Sequence, residues 1–182
     1  MPPSRTTLRY STLSISLHWL MLLLLAAVYA CIELRVQFPR GSDTRELLKT
    51  WHFMLGLSVL LLVVIRLAAR VMGSAPPITP ALPVWQQRAA QLVHLLLYAL
   101  LIGMPIIGWL ILSAEGKSIP FFFLDLPALL APNEALARQL EEIHETAGLV
   151  GYYLIGLHAA AALIHHYVLR DDTLRRMLPG RN

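Results

Sequence analysis

The chain has 182 residues, of which 57% are hydrophobic and 14% carry a charge, and its mean hydropathy is +0.60. An ordinary soluble domain has about 25% charged residues, so this composition excludes one and indicates a membrane protein. Fifteen basic and eleven acidic side chains give a net charge of +4. In a membrane protein such an excess reports orientation in the bilayer rather than nucleic-acid binding.

Four windows are apolar over roughly the 20 residues that a helix needs to cross the hydrocarbon core of a bilayer. They cover approximately residues 15–34, 51–71, 89–113 and 143–169. Charged, proline-rich or glycine-containing segments separate them, and "NEALARQLEEIHE" in the longest connection predicts an amphipathic surface helix. The pattern predicts an all-α, integral membrane four-helix bundle that forms one domain over residues 1–182.

The first window has features of an export signal, because Arg5 and Arg9 precede an apolar run that ends in "AAVYAC". In a lipoprotein signal Cys31 would be the acylated residue, but Tyr29 occupies a position that requires a small side chain. The run is also long for a cleaved segment. We therefore expect this window to remain as the first transmembrane helix.

Basic residues are divided unequally between the two ends of the predicted bundle. The end with both termini holds nine of them: Arg5, Arg9, Arg66, Arg70, Arg88, Arg170, Arg175, Arg176 and Arg181. The opposite end holds the other six, together with nine of the eleven carboxylates. Because cytoplasmic loops are enriched in Lys and Arg, this distribution predicts that both termini lie in the cytoplasm.

The histidines in these windows match in depth. His144 and His158 are fourteen residues apart, which corresponds to about 21 Å along a helix and an azimuthal difference of about 40°. Both rings therefore project from one face of the fourth helix at two depths. Since successive helices run in opposite directions, His52 matches His144 in depth and His18 matches His158. The sequence thus predicts two facing imidazole pairs, one near each membrane surface.

Two imidazoles from different helices are the axial ligands that a six-coordinate haem iron uses. Gly56 and Gly148 each follow a histidine by four residues, and four alanines follow His158, so a flat ring has room to approach the backbone. A histidine in a membrane can instead bridge helices through a hydrogen bond worth about 0.6 kcal/mol. Four histidines at matched depths favour ligation, and zinc is less favoured because no Cys or carboxylate lies at ligand spacing.

The windows also resemble a known family. The similar segments are "SISLHWLMLLLL", "WHFMLGLSVLLLVVIRLAAR", "HLLLYALLIGMPIIGW", "HETAGLVGYYLIGLHAAAALIHHY" and "DDTLRRMLP", and the family is that of the bacterial cytochromes b-561. The resemblance implies two b haems, one bound by His18 and His158 near the cytoplasmic surface and one by His52 and His144 near the outer surface. His94 has a depth suited to the inner haem, but the resemblance leaves it outside the ligand set.

The chain most resembles small stand-alone members of this family, which act as oxidoreductases. That resemblance implies electron transfer across the bacterial inner membrane, from superoxide at the periplasmic face to ubiquinone, without a partner protein. A second function remains open, in which the chain is a cytochrome b subunit between a partner dehydrogenase or hydrogenase and quinone. The short connections favour the stand-alone function, since they include no obvious docking domain. A haem-free transporter is disfavoured because charges deep in the windows are almost absent.

Basic side chains precede the outer histidine His52 in the sequence. They are Arg35, Arg40, Arg45 and Lys49. A local positive field raises the encounter rate of a small anion, so these residues are candidates for attracting superoxide. The alternative is ordinary loop solvation with salt bridges to Asp43 and Glu46.

His165 and His166 follow His158 by about two helical turns. His165 lies closer to the face of the ligand histidines and is a candidate to donate a hydrogen bond or a proton to a quinone carbonyl. The alternative is that both histidines only anchor the helix at the membrane surface.

Overall fold

The computed structural model describes residues 9–73 and 76–179. Its main elements are α1 (Thr12–Leu34), α2 (Asp43–Met72), α3 (Val84–Ala114) and α4 (Glu134–Ile164). All four helices are long and apolar enough to cross a membrane, so the predicted four-helix membrane bundle is confirmed. Arg5 and Arg181, which entered the orientation prediction, lie outside the described residues.

Three of the helices begin at a polar side chain that accepts a hydrogen bond from a backbone N–H of the first turn. These N-caps are Ser11, Ser42 and Asn133, and they satisfy donors that would otherwise lack a partner. The cap at Asn133 starts α4 well before the predicted membrane span. The stretch expected to form an amphipathic surface helix is therefore the first part of α4, because no glycine or proline interrupts it before His144.

The helices pack in chain order, α1 against α2, α2 against α3 and α3 against α4. One cluster of buried apolar side chains joins the first three helices: Leu17, Met21, Val59, Leu62, Val63 and Leu101. In α4 only Ala137 and Gly151 are buried. The first three helices thus form the apolar core, and α4 packs against α3 with few fully buried side chains of its own.

A small β-hairpin, which the sequence did not predict, lies in the connection between α3 and α4. Strands β1 (Ile119–Phe121) and β2 (Leu124–Leu126) pair antiparallel. Ile119 is buried against Leu57 of α2 and Leu112 of α3. We use "hairpin end" for this end of the bundle, formed by residues 35–42 and 115–133.

The first and last described residues lie at the opposite end, which we name the terminal end and which comprises residues 9–11, 76–83 and 165–179. The backbone N–H of Tyr10 donates to the carbonyl of Arg176 (3.3 Å), and Trp19 Nε1 donates to the carbonyl of Met177 (2.7 Å). These bonds hold the segment after α4 against the start of α1.

Buried charged residues tie the same segment to the connection between α2 and α3. Asp172 accepts a hydrogen bond from the backbone N–H of Thr79 (3.0 Å) and pairs with Arg176 (3.4 Å). Arg176 also donates to the carbonyl of Pro76. The terminal end is therefore closed by a buried polar network.

Candidate functional site

The four histidines predicted as ligands form two facing pairs between α4 and the other helices. The ring centroids of His18 and His158 are 6.3 Å apart with an interplanar angle of 70°. Those of His52 and His144 are 6.2 Å apart with an angle of 79°. The first pair lies toward the terminal end and the second toward the hairpin end.

The separation within each pair matches what one iron between two imidazoles requires. A bond between a metal and an imidazole nitrogen is about 2.0 Å long. A five-membered ring with sides of about 1.35 Å has its atoms about 1.15 Å from the centroid. Two imidazoles on opposite sides of one iron therefore have centroids about 6.3 Å apart by the same bond lengths. The residues present fit a haem at each pair.

His94 on α3 lies beside the terminal-end pair but does not have the same geometry. Its ring centroid is 5.3 Å from that of His158, which is too close for an iron between the two rings. Its Nδ1 donates to the carbonyl of Ala90 (2.6 Å) in its own helix. These contacts favour a packing role for His94.

The ring nitrogens of the paired histidines also fit a bound cofactor. Nδ1 of His52 lies 3.0 Å from the carbonyl oxygen of Val28, and because a carbonyl only accepts, this leaves the Nε2 lone pair for a metal. Nδ1 of His18 and Nδ1 of His144 are buried and have no hydrogen-bond partner within the described part of the chain. Buried polar atoms are normally satisfied, so these two rings fit a partner other than protein.

Of the small residues predicted to leave room for a flat ring beside the histidines, only some do so. A Cβ built on Gly56 would meet no heavy atom within 4 Å, whereas one on Gly148 would lie 3.6 Å from Cε of Met104. Ala159, Ala160 and Ala161 are exposed, so they do not distinguish a cofactor-facing surface from a lipid-facing one. Gly56 therefore gives the clearest room for a flat ring.

An apolar groove of about 580 Å³ runs between α3 and α4 on the hairpin-end half of the bundle. Gly103 and Met104 line one wall, and Thr146 and Ala147 line the other. None of the predicted site residues lines it.

The basic side chains near His52 differ in their ion pairs and hydrogen bonds. Lys49 Nζ pairs with Glu46 (2.7 Å), as the salt-bridge alternative expected. Arg45 Nη1 donates to the carbonyls of Arg35 and Phe38, both at 3.1 Å, and so holds the connection between α1 and α2 in shape. These two charges are therefore committed to local contacts.

Arg35 and Arg40 remain as candidates for attracting an anion. Arg35 is half-buried, and its Nε has no hydrogen-bond partner among residues 9–73 and 76–179. It also lies near enough to His52 for its charge to act on that ring. Arg40 is exposed.

At the terminal end, His165 is the first residue of a π-helical turn (His165–Leu169) that follows α4. Its Nδ1 lies 2.5 Å from Oδ2 of Asp171, a partner that the sequence reasoning missed because a reversal of the chain creates the contact. Burial acts to raise the pKa of the Asp171 carboxyl, but hydrogen bonds from His165 and Thr173 outweigh it and hold this pKa below its ordinary value. His166 contacts Tyr167, with ring centroids 4.8 Å apart.

Arg66 is a second residue that the sequence reasoning did not assign to the site. It is half-buried on α2 and close enough to His18 and His158 to act on both electrostatically. A guanidinium in this position is suited to an acidic group beside the terminal-end pair, such as a haem propionate.

Comparison with known proteins identifies the family. A family model described as prokaryotic cytochrome b561 matches residues 9–180. Cytochrome b561 homolog 1 of Escherichia coli K12 is 40% identical over 173 residues, which cover 95% of this chain and 98% of that protein. Probable superoxide oxidase CybB of Yersinia pestis is also 40% identical over 173 residues, covering 95% and 97% of the two chains.

A further relative is more distant. Cytochrome b561 homolog 2 of Escherichia coli K12 is 32% identical over 176 residues, which cover 96% of this chain and 94% of that protein. Together with the four helices able to cross a membrane, these matches mean that the chain belongs to the prokaryotic cytochrome b561 family of multi-pass bacterial membrane proteins, which bind haem b and transfer electrons.

Proposed function

We propose that the chain is a superoxide:ubiquinone oxidoreductase with two b haems in the bacterial inner membrane. His18 and His158 bind one haem at the terminal end, and His52 and His144 bind the other at the hairpin end. The observation that carries this proposal is the pair of centroid separations, 6.3 and 6.2 Å, each of which suits one iron. The similarity to a relative named as a probable superoxide oxidase supports the choice of substrate.

The orientation follows from the distribution of basic residues, which puts the terminal end in the cytoplasm and the hairpin end in the periplasm. His144 and His158 are about 21 Å apart along α4 by helical rise. A haem held by each pair would supply one-electron transfer, and the two pairs lie toward opposite membrane faces. The helices position the histidine ligands. Superoxide reacts at the periplasmic, hairpin end and ubiquinone at the cytoplasmic, terminal end.

The overall reaction balances two superoxide anions against one ubiquinone. Each superoxide loses one electron and leaves as O₂, and ubiquinone takes up two electrons and two protons to become ubiquinol. Arg35 and Arg40 attract the anion at the periplasmic face, and Lys49 contributes less because Glu46 neutralises it. His165 donates a hydrogen bond or a proton to the quinone at the cytoplasmic face.

The test uses the full chain purified in detergent. Haem extraction should give two b haems per chain, and enzymatically generated superoxide should drive ubiquinone reduction without an added protein. Added superoxide dismutase should suppress the reaction, as a control for the substrate. Ubiquinone reduction that appears only when a partner dehydrogenase is supplied would instead support a cytochrome b subunit. Absence of a b-type spectrum would contradict the proposal entirely.

A further inference from the structure

His165 and Asp171 are joined by two hydrogen bonds that the end of α4 creates. The π-helical turn closes the helix, and Arg170 then adopts a left-handed conformation (φ 57°, ψ 34°) that reverses the chain. The backbone N–H of Asp171 consequently donates to the carbonyl of His165 (3.1 Å). The Asp171 carboxylate lies 2.5 Å from His165 Nδ1. The two residues are therefore held together by both a backbone and a side-chain hydrogen bond, which fixes their relative position.

The carboxylate of this pair is buried and the imidazole is partly accessible. The side chain of Asp171 is 2% exposed and that of His165 is 18% exposed. The second carboxylate oxygen of Asp171 accepts from the backbone N–H of Thr173 (2.9 Å), so both oxygens are used. A buried carboxylate is costly unless it is paired and hydrogen-bonded, and here His165 is the side chain that does so.

The contact determines which nitrogen of His165 is available. An ionised carboxylate only accepts hydrogen bonds, so Nδ1 of His165 carries a proton. Nε2 is then the nitrogen that can hold or release a second proton. A carboxylate on Nδ1 also returns the ring to the same tautomer after each transfer.

We propose that Asp171 is a positioning residue that holds His165 in the Nδ1–H tautomer, with Nε2 directed to quinone chemistry. This inference rests on the proposed function. In the proton step, the Nε2–H bond of the His165 imidazolium breaks and an O–H bond forms on the quinone as it is reduced. The neutral ring then takes a proton from cytoplasmic water at Nε2. Asp171 keeps its hydrogen bond throughout and is not protonated.

The neighbouring residue offers a matched control. Asp172 is also a buried aspartate, but its carboxylate accepts a hydrogen bond from the backbone N–H of Thr79 and forms an ion pair with Arg176, rather than contacting His165. Asp172→Asn therefore changes the same charge in the same segment and leaves the His165 contact in place. In Asp171→Asn, by contrast, the amide NH₂ can donate to Nδ1 and favour the opposite tautomer.

The experiment measures the tautomer and the kinetics of the full chain with bound haem. Nitrogen-15 spectra of histidine-labelled, reduced protein should show an Nδ1–H tautomer whose signal disappears in His165→Gln. We expect Asp171→Asn to shift this signal toward the Nε2–H tautomer and to lower kcat for ubiquinone reduction about tenfold with KM unchanged. At matched content of folded, haem-containing protein, Asp172→Asn should leave both the tautomer and kcat unchanged, even though it removes the counter-charge of Arg176.

The outcomes separate this inference from the proposed function. An unchanged tautomer in Asp171→Asn, or an equal loss of kcat in both aspartate variants, would overturn the positioning role. A tautomer change in a protein whose wild type does not reduce ubiquinone would overturn the proposed function, and with it the role toward quinone.

Discussion

The two ends of the bundle use the same kinds of charged residues in different ways. At the terminal end, Arg176 and Asp172 form an ion pair whose side chains are 4% and 10% exposed. At the hairpin end, Lys49 and Glu46 pair at a shorter distance but are 28% and 54% exposed. Burial makes the first pair part of the fold, since an unpaired charge there would be costly. The second pair remains in water, where it contributes little to stability and mainly reduces the local positive field.

The two histidine pairs also differ in the residues that surround them. The terminal-end pair has His94 and Arg66 beside it, so three histidines lie at the depth of one predicted haem. The hairpin-end pair has no third histidine near it, because the remaining histidines lie at the terminal end. A third histidine therefore has to be distinguished from the ligand pair at the terminal end only, and there the 5.3 Å separation of His94 from His158 disfavours it as a ligand.

The largest expected effect comes from removing a ligand. We expect His158→Ala to lose the terminal-end haem, His144→Ala to lose the hairpin-end haem and the double variant to lose both, because one imidazole does not hold a six-coordinate iron. Haem extraction with reduced-minus-oxidised visible spectra gives the stoichiometry. His94→Ala serves as the control and should retain both haems. Loss of one haem in His94→Ala would make His94 a ligand and break the proposed pairing.

The next effect concerns the stability of the two ends. Asp172→Ala should lower the free energy of unfolding by about 3 kcal/mol, because it leaves Arg176 buried without its counter-charge. Lys49→Ala should leave the unfolding transition where it is, since its pair is exposed. Thermal unfolding in detergent, followed by circular dichroism, measures both. Equal destabilisation by the two substitutions would remove the distinction between a buried and an exposed pair.

A smaller effect is expected on the capture of superoxide at the hairpin end. Arg35→Gln should lower kcat/KM for superoxide about threefold at low ionic strength and weaken its dependence on salt. Lys49→Gln should change kcat/KM less, because Glu46 already neutralises Lys49. Stopped-flow measurements over a range of salt concentrations, at matched haem content, make the comparison. A larger effect of Lys49→Gln would mean that its ion pair does not persist in solution.

The smallest effect is a pH dependence confined to the terminal end. The pKa of folded Asp171 lies below the ordinary carboxyl value of 3.8, so its interactions stabilise the segment after α4 at higher pH. This stabilisation is lost as pH falls below 3.8 toward the depressed pKa. Hydrogen exchange at the Thr173 amide should lose protection over that range. Asp171→Asn should show a weaker dependence, and the same dependence in wild type and variant would contradict the assignment to Asp171.

The sequence predicted those features of the fold that depend on neighbouring residues better than those that depend on contacts between distant residues. The four apolar windows predicted the helical bundle because crossing a bilayer is a local requirement of length and composition. The prediction of an amphipathic surface helix at "NEALARQLEEIHE" did not say where that helix ends, and the cap at Asn133 and the absence of glycine and proline make it continuous with α4. The hairpin was missed because Phe122 turns the chain with a positive φ of 56° in a run of aromatic residues.

The predictions about the site divide in the same way. The fourteen-residue spacing placed His144 and His158 on one face, and the haem ligand set remains a prediction that the pair distances support. For the basic loop, the sequence could list Arg35, Arg40 and Lys49 and name Glu46 as a possible partner, but only the structure shows that Glu46 pairs with Lys49 and that Arg35 is half-buried. For His165, helical spacing indicated its face but not its hydrogen-bond partner.

The sequence by itself determined that this is a four-helix membrane protein with histidines at two depths. It could do so because hydropathy and helical periodicity are properties of neighbouring residues. Only the tertiary structure decided how far apart the rings stand, which charges are neutralised and that Asp171 lies against His165. Those features depend on the packing of helices and on chain reversals, such as the one at Arg170, that bring distant or oppositely directed groups together.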